Sequence, residues 1–197
     1  MNKTIYLVRH GEIEWQQEKA YIGQIDLPLS EQGKVQAHKC RDVLAEIPLE
    51  KAYTSPLKRC VATLDKVLEN RAVPREMIAD LQEISMGDWE GQTFSAIKNR
   101  FPAAYEKRGQ EIAGFAPPNG ESFRELQQRV MPVFEKIVAK DGEHQIIILA
   151  HAGVIRVILT SIMGLPLNYL FNWPIAYTGM YQLCYDQDQE KWNCKNR

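Results

Sequence analysis

Histidine and cysteine are scarce in this chain, whose 197 residues include only four of each. The cysteines form no CxxC pair, and a disulfide framework is not expected in a chain of this length. We therefore expect reduced thiols, as in a cytoplasmic protein, with Cys60 as a buried structural residue rather than a reactive one. The four cysteines are Cys40, Cys60, Cys184 and Cys194.

Long hydrophobic runs and a strong net charge are also absent. The apolar run after Lys3 spans about five residues, far short of the roughly twenty that a membrane-spanning helix needs. The formal net charge is −1, so the sequence predicts neither a nucleic-acid partner nor a membrane partner. Any anionic ligand would have to be bound by a few local cations.

Two of the four histidines directly follow apolar runs. Arg9 and His10 come after the run at residues 4–8, and His151 comes after the run at residues 146–150. Both runs are short, continuous and rich in β-branched residues, which is typical of strands buried in a parallel sheet. Because ligands bind at the carboxyl edge of such a sheet, we expect the two histidines to lie near a ligand.

Strands and helices alternate along most of the chain. Further strands are predicted at 51–54, 76–79 and 181–185, and helices are predicted after Ser30, Ser55, Ser122 and His151. The alternation predicts an α/β fold, a three-layer sandwich in which helices flank a mostly parallel central sheet. Residues 85–120 interrupt it with large side chains among glycines and prolines. We interpret that stretch as a small helical cap inserted in a single domain, residues 1–197.

Arg59 is predicted at the start of the helix after the second strand, at the same sheet edge as His10. An arginine can bind an oxyanion through two parallel hydrogen bonds, and a helix N-terminus adds partial positive charge. With Arg9, His10 and His151 it would form a pocket for a doubly charged phosphoryl group, although each motif alone is equally typical of solvated surface. These cations make a divalent metal unnecessary, so we expect no metal and no cofactor.

Further motifs extend this pattern along nearly the whole chain, in order. They are Leu7 to Glu12, Tyr21 to Gly23, Asp26 to Ser30, Thr54 to Cys60, Leu81 to Glu83, Gly87 to Gly91, Asn119 to Ser122 and Ala150 to Arg156. In these segments the chain resembles the histidine phosphatase superfamily, also called the phosphoglycerate mutase-like proteins. A single segment would be weak, but so many in register make the resemblance specific.

The resemblance implies a phosphoglycerate mutase-like fold and covalent catalysis through a phosphohistidine. It implies that His10 is the nucleophile and that Arg9, Arg59 and His151 bind the phosphoryl oxygens. Glu83 matches the general acid of the family, which protonates the leaving oxygen and then activates water.

Three further residues are expected to contact the substrate, namely Gln16, Gly23 and Ala152. Gln16 stands where many members of the family carry asparagine, and its amide can still donate a hydrogen bond. Ile13 stands where threonine or serine is usual, which removes a hydroxyl near the phosphate.

Other polar residues are expected to lie outside the catalytic set. Asp88 and Glu90 are alternatives to Glu83 as the acid, although we expect them to hold a turn instead. The two remaining histidines, His38 and His144, are expected to be exposed and to take no part.

Within the superfamily, the segments around Tyr21, Asp88 and Asn119 look most like those of α-ribazole phosphatases, which remove the 5′-phosphate from α-ribazole phosphate in cobalamin assembly. The implied partner is a small phosphorylated metabolite. Aromatic side chains of the cap can stack on a flat base, although most are expected to form the cap's own core. The alternatives are a broad-specificity phosphatase, a phosphoglycerate mutase, and a catalytically silent phosphate-binding module. Both a monomer and a homodimer are compatible with the sequence.

Overall fold

The fold is built on one mixed sheet of six strands, in the order β3-β2-β4-β1-β5-β6. The computed structural model describes residues 3–15, 18–140, 142–186 and 191–197. The strands are β1 (Thr4–Arg9), β2 (Lys51–Thr54), β3 (Arg75–Met77), β4 (Gln145–Ala150), β5 (Met180–Asp186) and β6 (Lys191–Asn196). The helices are α1 (Glu31–Leu44), α2 (Lys58–Val67), α3 (Phe94–Arg100), α4 (Pro102–Gln110), α5 (Phe123–Ala139) and α6 (Ala152–Ile162).

The parallel part of the sheet comprises the four strands β3, β2, β4 and β1. The last two strands depart from the expected pattern, since β5 is antiparallel to β1 and β6 is antiparallel to β5. Strand β6 was not predicted, because its residues are mostly exposed and carry no apolar run. The sheet is therefore mixed, with its parallel portion at the centre and on one side.

Alternate residues of the central strands point to opposite faces, and each face carries its own helices. Ile5 and Leu7 of β1 pack in the cluster that includes α5 and α6, whereas Tyr6 and Val8 pack with α1 and α2. This arrangement is the predicted three-layer sandwich. The register pairs Arg9 with Ala150, so the ends of β1 and β4 meet at one edge of the sheet.

Residues 85–120 form helical structure beside that edge. A short 3₁₀ helix (Gly87–Trp89) precedes α3 and α4. Trp89 is almost fully buried, and its ring lies 5.4 Å from that of Phe115. These two aromatic residues thus belong to the core of the cap, as expected for most of its aromatic residues.

Two predicted boundaries were wrong by a few residues. Helix α2 begins at Lys58 rather than directly after Ser55, because the Ser55 hydroxyl accepts a hydrogen bond from the Leu57 N–H within a preceding turn. Strand β3 ends at Met77, and Ala79 already belongs to a 3₁₀ turn. Both errors arise at the edge strand and the turns, where local hydrogen bonds rather than periodicity determine the backbone.

Helix α5 is 17 residues long and begins with a reciprocal cap. The Ser122 hydroxyl accepts from the Glu125 N–H at 3.2 Å, and the Glu125 carboxylate accepts from the Ser122 N–H at 2.8 Å. Two N–H groups that the helix itself cannot satisfy are thereby paired.

None of the helices within the described ranges is both long and apolar enough to cross a membrane.

Replacing the capping hydroxyl should destabilise the protein. We expect Ser122→Ala to lower the free energy of unfolding by about 1 kcal/mol, since it leaves the N–H of Glu125 without its acceptor. Urea unfolding followed by circular dichroism measures this difference. Gln128→Ala, at an exposed position of the same helix, is the control and should change stability by less than about 0.5 kcal/mol.

Candidate active site

The ends of three adjacent parallel strands bring the predicted site residues together. Arg9 ends β1 and His10 follows it, Ser55 follows β2, and His151 follows β4, which lies between β1 and β2. The rings of His10 and His151 are 5.1 Å apart between centroids, in an edge-to-face arrangement. The two histidines thus lie close together, as expected from the sequence.

His10 is buried and presents its Nε2 atom as a free electron pair. Its Nδ1 lies 2.7 Å from the carbonyl oxygen of Gly11, and because a carbonyl can only accept, Nδ1 carries the proton. Burial, and then the positive charges of Arg9 and Arg59, hold the pKa of His10 well below its usual value. The imidazole is therefore neutral at physiological pH, which is the state a nucleophile requires.

Arg59 is fully buried in the first turn of α2. It donates hydrogen bonds of 2.6 Å to the carbonyl oxygens of Gly23 and Ile25, and its Nε donates to His151 Nδ1 at 3.3 Å. These acceptors are neutral, so the positive charge of Arg59 is not cancelled by its hydrogen-bond partners. It acts on the cavity beside His10, which it lines.

His151 lies behind His10 rather than in the cavity wall. Because Arg59 Nε can only donate, Nδ1 of His151 accepts, and its Nε2 donates to the Ser55 hydroxyl at 2.8 Å. Burial, then the charges around it, lower its pKa well below the usual value. The structure thus places His151 against Arg59 and Ser55, and its contact with the phosphoryl oxygens stays a prediction.

Cys60 is buried against the same histidine. Its Sγ lies 3.4 Å from His151 Nε2 and 3.5 Å from the carbonyl oxygen of Ala150. Burial raises the pKa of its thiol strongly, so the thiolate is disfavoured. This environment agrees with the structural role expected for Cys60.

Glu83 is held at the N-terminus of α6. Its Oε2 accepts from the Gly153 N–H at 3.1 Å, and its Oε1 accepts from the Ile84 N–H at 2.9 Å. A Cβ atom on Gly153 would lie 2.3 Å from Glu83 Oε1, so only glycine leaves room for the carboxylate. The two backbone bonds fix the position of the carboxyl group.

The two other candidate acids have structural partners. Glu90 accepts from the N–H groups of Gly23, Gln24 and Met86 at 2.7–3.1 Å, and thus joins two loops. Asp88 accepts from the Asn119 side chain at 3.1 and 3.2 Å. Both hold turns, as expected, and neither lines the cavity beside His10.

Gly23 has a position different from the one expected. Its N–H donates to Glu90 and its carbonyl accepts from Arg59, so both backbone groups are used within the protein. A Cβ atom there would lie 2.3 Å from a carboxylate oxygen of Glu90. Gly23 therefore permits close packing of a loop, and its expected contact with the substrate stays a prediction.

Arg9 is oriented by residues that sequence reasoning missed. Its Nη1 donates to the Ile175 carbonyl oxygen at 2.8 Å, and its guanidinium lies 3.9 Å from the centre of the Tyr177 ring. Its Nε is buried and has no acceptor among the described residues. Tyr177 also lies 5.8 Å from the His10 ring. In the sequence, only its position just before β5 indicates that Tyr177 lies near the site. That indication could not be used, because the antiparallel pairing of β5 with β1 was not predictable.

Two neighbouring cavities open from this site, and Glu83 lines both. The inner cavity is about 160 Å³, and its walls are Arg9, His10, Ile13, Ala20, Ile22, Arg59, Glu83 and Tyr177. The outer cavity is about 450 Å³ and is lined by aromatic and cationic side chains that include Tyr21, Phe94, Tyr105, Arg108, Phe123, Arg156 and Phe171. The inner cavity has the size and charge for a phosphoryl group, and the outer one has room for the rest of a metabolite.

The other residues considered from the sequence have the following positions. Ala152 lies in the wall of the outer cavity, and Ile13 in that of the inner one. Gln16 lies outside the described residues. The two histidines expected to be exposed, His38 and His144, are half-buried, because His38 contacts Glu69 and His144 precedes β4.

Comparison with known proteins supplies the family. A model of the histidine phosphatase superfamily (branch 1) matches residues 5–197. The chain belongs to this superfamily. The recognition made from the sequence motifs is confirmed by this match.

The relatives differ in what they act on. The chain is 28% identical to the adenosylcobalamin/α-ribazole phosphatase of Salmonella typhimurium, over 87% of this chain and 85% of that protein. It is also 28% identical to the glucosyl-3-phosphoglycerate phosphatase of Mycobacterium tuberculosis, over 96% of this chain and 86% of that protein. The α-ribazole phosphatase structure from Shigella flexneri matches with a TM-score of 0.90 at 23% identity, covering 98% of this chain and 95% of that one. The predicted fold is thereby confirmed.

The two buried histidines should make the protein sensitive to acid. Their pKa values are lowered in the folded state, whereas an unfolded chain gives histidine a pKa of about 6.5. The unfolded state therefore binds more protons below about pH 6.5. The free energy of unfolding should therefore decrease as the pH is lowered below about 6.5, by up to about 1.4 kcal/mol per pH unit for each histidine.

Urea unfolding at several pH values between about 7.5 and 5, without phosphate, measures this slope. The slope should be smaller in His10→Ala than in the wild type. It should be nearly unchanged in His38→Ala, which removes a half-exposed histidine. An identical slope in His10→Ala and the wild type would show that His10 is not held neutral by the fold.

Proposed function

We propose that this protein is a phosphomonoester hydrolase that works through a phosphohistidine on His10. The observation that carries the proposal is the neutral His10, whose free Nε2 borders a cavity that also contains Arg9, Arg59 and Glu83. Membership of a phosphatase superfamily supports the hydrolase class. Phosphoryl transfer depends on positioning and on charge stabilisation, and this cavity offers both.

In the first step the phosphoryl group of the substrate occupies the inner cavity. Nε2 of His10 attacks the phosphorus, the N–P bond forms, and the P–O bond to the leaving group breaks. Glu83, which lines both cavities, is protonated at the start of this step; it gives its proton to the leaving oxygen and becomes the carboxylate. Arg9 and Arg59 stabilise the negative charge of the phosphoryl oxygens as the bonds change.

In the second step water replaces the leaving group. The Glu83 carboxylate takes a proton from this water, whose oxygen attacks the phosphorus while the N–P bond breaks. Inorganic phosphate leaves, and both His10 and Glu83 return to their initial protonation states. The same carboxyl group thus serves as acid and then as base, as microscopic reversibility allows.

The first test asks whether His10 is essential and whether a metal is needed. With excess chelator present, the wild type should hydrolyse 4-nitrophenyl phosphate, because Arg9 and Arg59 supply the positive charge at the phosphate. His10→Ala should lose this activity, whereas His38→Ala should retain it. Full activity in His10→Ala would refute the phosphohistidine, and loss of wild-type activity with chelator would refute metal independence.

The second test separates proton transfer from phosphate binding. Glu83→Gln keeps the shape of the side chain but cannot supply a proton, so turnover of an alkyl phosphate should fall by roughly 10²–10⁴-fold. An aryl phosphate needs little protonation to leave, so a rapid burst of aryl alcohol should precede slow hydrolysis of the phosphoenzyme. Rapid-quench measurements detect this burst.

Asp88→Asn is the matched control for this variant, since Asp88 lies on a neighbouring turn and is held by Asn119. It should retain the turnover of both substrates. If the burst and the leaving-group dependence appear in Asp88→Asn instead, the acid has been assigned to the wrong residue.

The substrate expected from the sequence, α-ribazole 5′-phosphate, remains a candidate. The outer cavity supports it with aromatic walls at which a flat base can stack, among them Phe94 and Tyr105. A second candidate is a phosphate ester whose leaving group carries a negative charge. Arg108 and Arg156, in the walls of the same cavity, favour such a substrate. A phosphatase of broad specificity would accept substrates of both kinds in this cavity.

The remaining alternatives make different products. A phosphoglycerate mutase would interconvert 3- and 2-phosphoglycerate, whereas a phosphatase releases inorganic phosphate from both. A silent binding module would bind phosphate without hydrolysing any ester. Measuring phosphate release and phosphoglycerate interconversion in one assay separates these three classes.

A further inference from the structure

The outer cavity contains more positive than negative charge. Arg108 and Arg156 line it together with Arg9, and Glu83 is the one carboxylate among its described lining residues. Neither Arg108 nor Arg156 forms an ion pair with any carboxylate in the described ranges. By contrast, the half-buried Arg129 is paired with Glu121 at 2.8 Å.

Arg108 is the clearer of the two cases. It lies on α4 in the cap, half-buried, with its guanidinium 5.3 Å from the centre of the Tyr21 ring. It has no hydrogen-bond acceptor in the part of the chain that the structure describes. Burial lowers the pKa of Arg108. The two groups that partly offset this shift are Tyr21 and Tyr105, and neither is a carboxylate. A charged group in this position lacks the partner that a partly buried cation normally has.

Arg156 reaches the same cavity from the other side of the site, on α6. Its Nε donates to the Trp173 carbonyl oxygen at 3.2 Å, and its guanidinium lies 5.0 Å from the centre of the Phe171 ring. Its two terminal nitrogens have no acceptor among the described residues. Because Arg156 lies four residues after Ala152, the two share one face of the helix, and both line the cavity.

The reacting phosphoryl group does not account for these arginines. The inner cavity beside His10 is lined by Arg59 and by Arg9, which it shares with the outer cavity, and its walls include neither Arg108 nor Arg156. Glu83 lies where the two cavities meet. A third cavity also adjoins the inner one, at Ile13 and Tyr177, but Glu83 does not line it. A substrate whose leaving oxygen lies at Glu83, the proposed acid, therefore extends its leaving group into the outer cavity.

We propose that Arg108 and Arg156 form a subsite for a second anionic group, a carboxylate or a phosphate, on the leaving group of the substrate. This inference rests on the proposed phosphatase function. Arginine binds both anions through paired hydrogen bonds, and the partial burial of the cavity strengthens such bonds. The aromatic walls contact the body of the substrate between its phosphoryl group and this second anionic group.

The subsite defines a substrate class, namely phosphate esters of organic acids and bisphosphates. α-Ribazole is neutral once its phosphate is removed, so it would leave both arginines without an anion. It should therefore be a poorer substrate than an ester of similar size that carries a second charge. Loss of a charged partner in such a site changes specificity by roughly 10- to 100-fold.

The experiment compares pairs of esters in which one member carries a second anionic group and the other does not. The pairs are 4-carboxyphenyl phosphate with 4-carbamoylphenyl phosphate, 3-phosphoglycerate with glycerol 3-phosphate, and fructose 1,6-bisphosphate with fructose 6-phosphate. The wild type should prefer the charged member, by roughly 10-fold or more in kcat/KM, in at least one pair. The first two pairs test a carboxylate and the third tests a phosphate, so the preferred pair identifies the anion.

Arg108→Gln is the decisive variant, because Arg108 makes no hydrogen bond that the described fold needs. It should reduce the preference for the charged member by roughly 10-fold, with a smaller effect on the neutral member. Arg156→Gln should act in the same direction, and its thermal unfolding is measured because Arg156 also bonds Trp173. Arg100→Gln is the control, since this cap arginine lies over Phe101 and does not line the cavity.

Binding of unreactive ligands separates this proposal from the proposed function. Calorimetry with 4-carboxybenzylphosphonate and 4-carbamoylbenzylphosphonate requires no turnover, so it tests the subsite even if no ester is hydrolysed. The carboxylated ligand should bind more tightly, and Arg108→Gln should remove the difference. Equal binding of the two phosphonates, together with equal hydrolysis within every pair of esters, would overturn the subsite and leave the phosphatase function standing.

Discussion

The guanidinium of Arg59 is fully buried, yet the groups it bonds carry no charge. Two backbone carbonyls and the neutral His151 accept its hydrogen bonds, so the group is satisfied while its positive charge persists. That charge helps to keep His10 unprotonated, and it can attract the phosphoryl group that His10 would attack. A carboxylate in place of any of these acceptors would stabilise Arg59 more strongly and weaken the site. The loop at residues 23–25 and the position of His151 both depend on this arrangement.

The carboxylates of the site are restrained just as closely, but by backbone N–H groups. Glu83 is bonded to the first turn of α6, which places one carboxyl group at the boundary of two cavities. Glu90 joins the loop after Tyr21 to the turn that begins the cap. The cap is therefore attached to the same loop that Arg59 bonds from the sheet side. Positions in the cap and at the sheet edge are coupled through a few residues.

The sequence was sufficient for features that depend on local periodicity. The buried strands β1 and β4, the helices between them and the placement of Arg9, His10 and Arg59 at one edge follow from short patterns and from the rules of parallel sheets. Features that depend on chain reversal were missed, namely β6 and Tyr177, because antiparallel return and a stacking contact leave no periodic signal. The packing of Gly23 against Glu90 was not foreseen, since only the fold brings these two loops together. The position of Arg108 in a cavity wall was not predicted for the same reason, because no motif near it in the sequence indicates a cavity.

The two cavities share four lining residues, but the walls that belong to the outer cavity alone come from other parts of the chain, which makes the design partly modular. Those outer walls come largely from the cap, the first two turns of α6 and the segment around Phe171. Substitutions at Arg108 or Phe171 can thus alter which leaving group fits without moving His10 or Arg59. One chemical centre can in this way be combined with many recognition surfaces, and a redesign of selectivity would begin in α4.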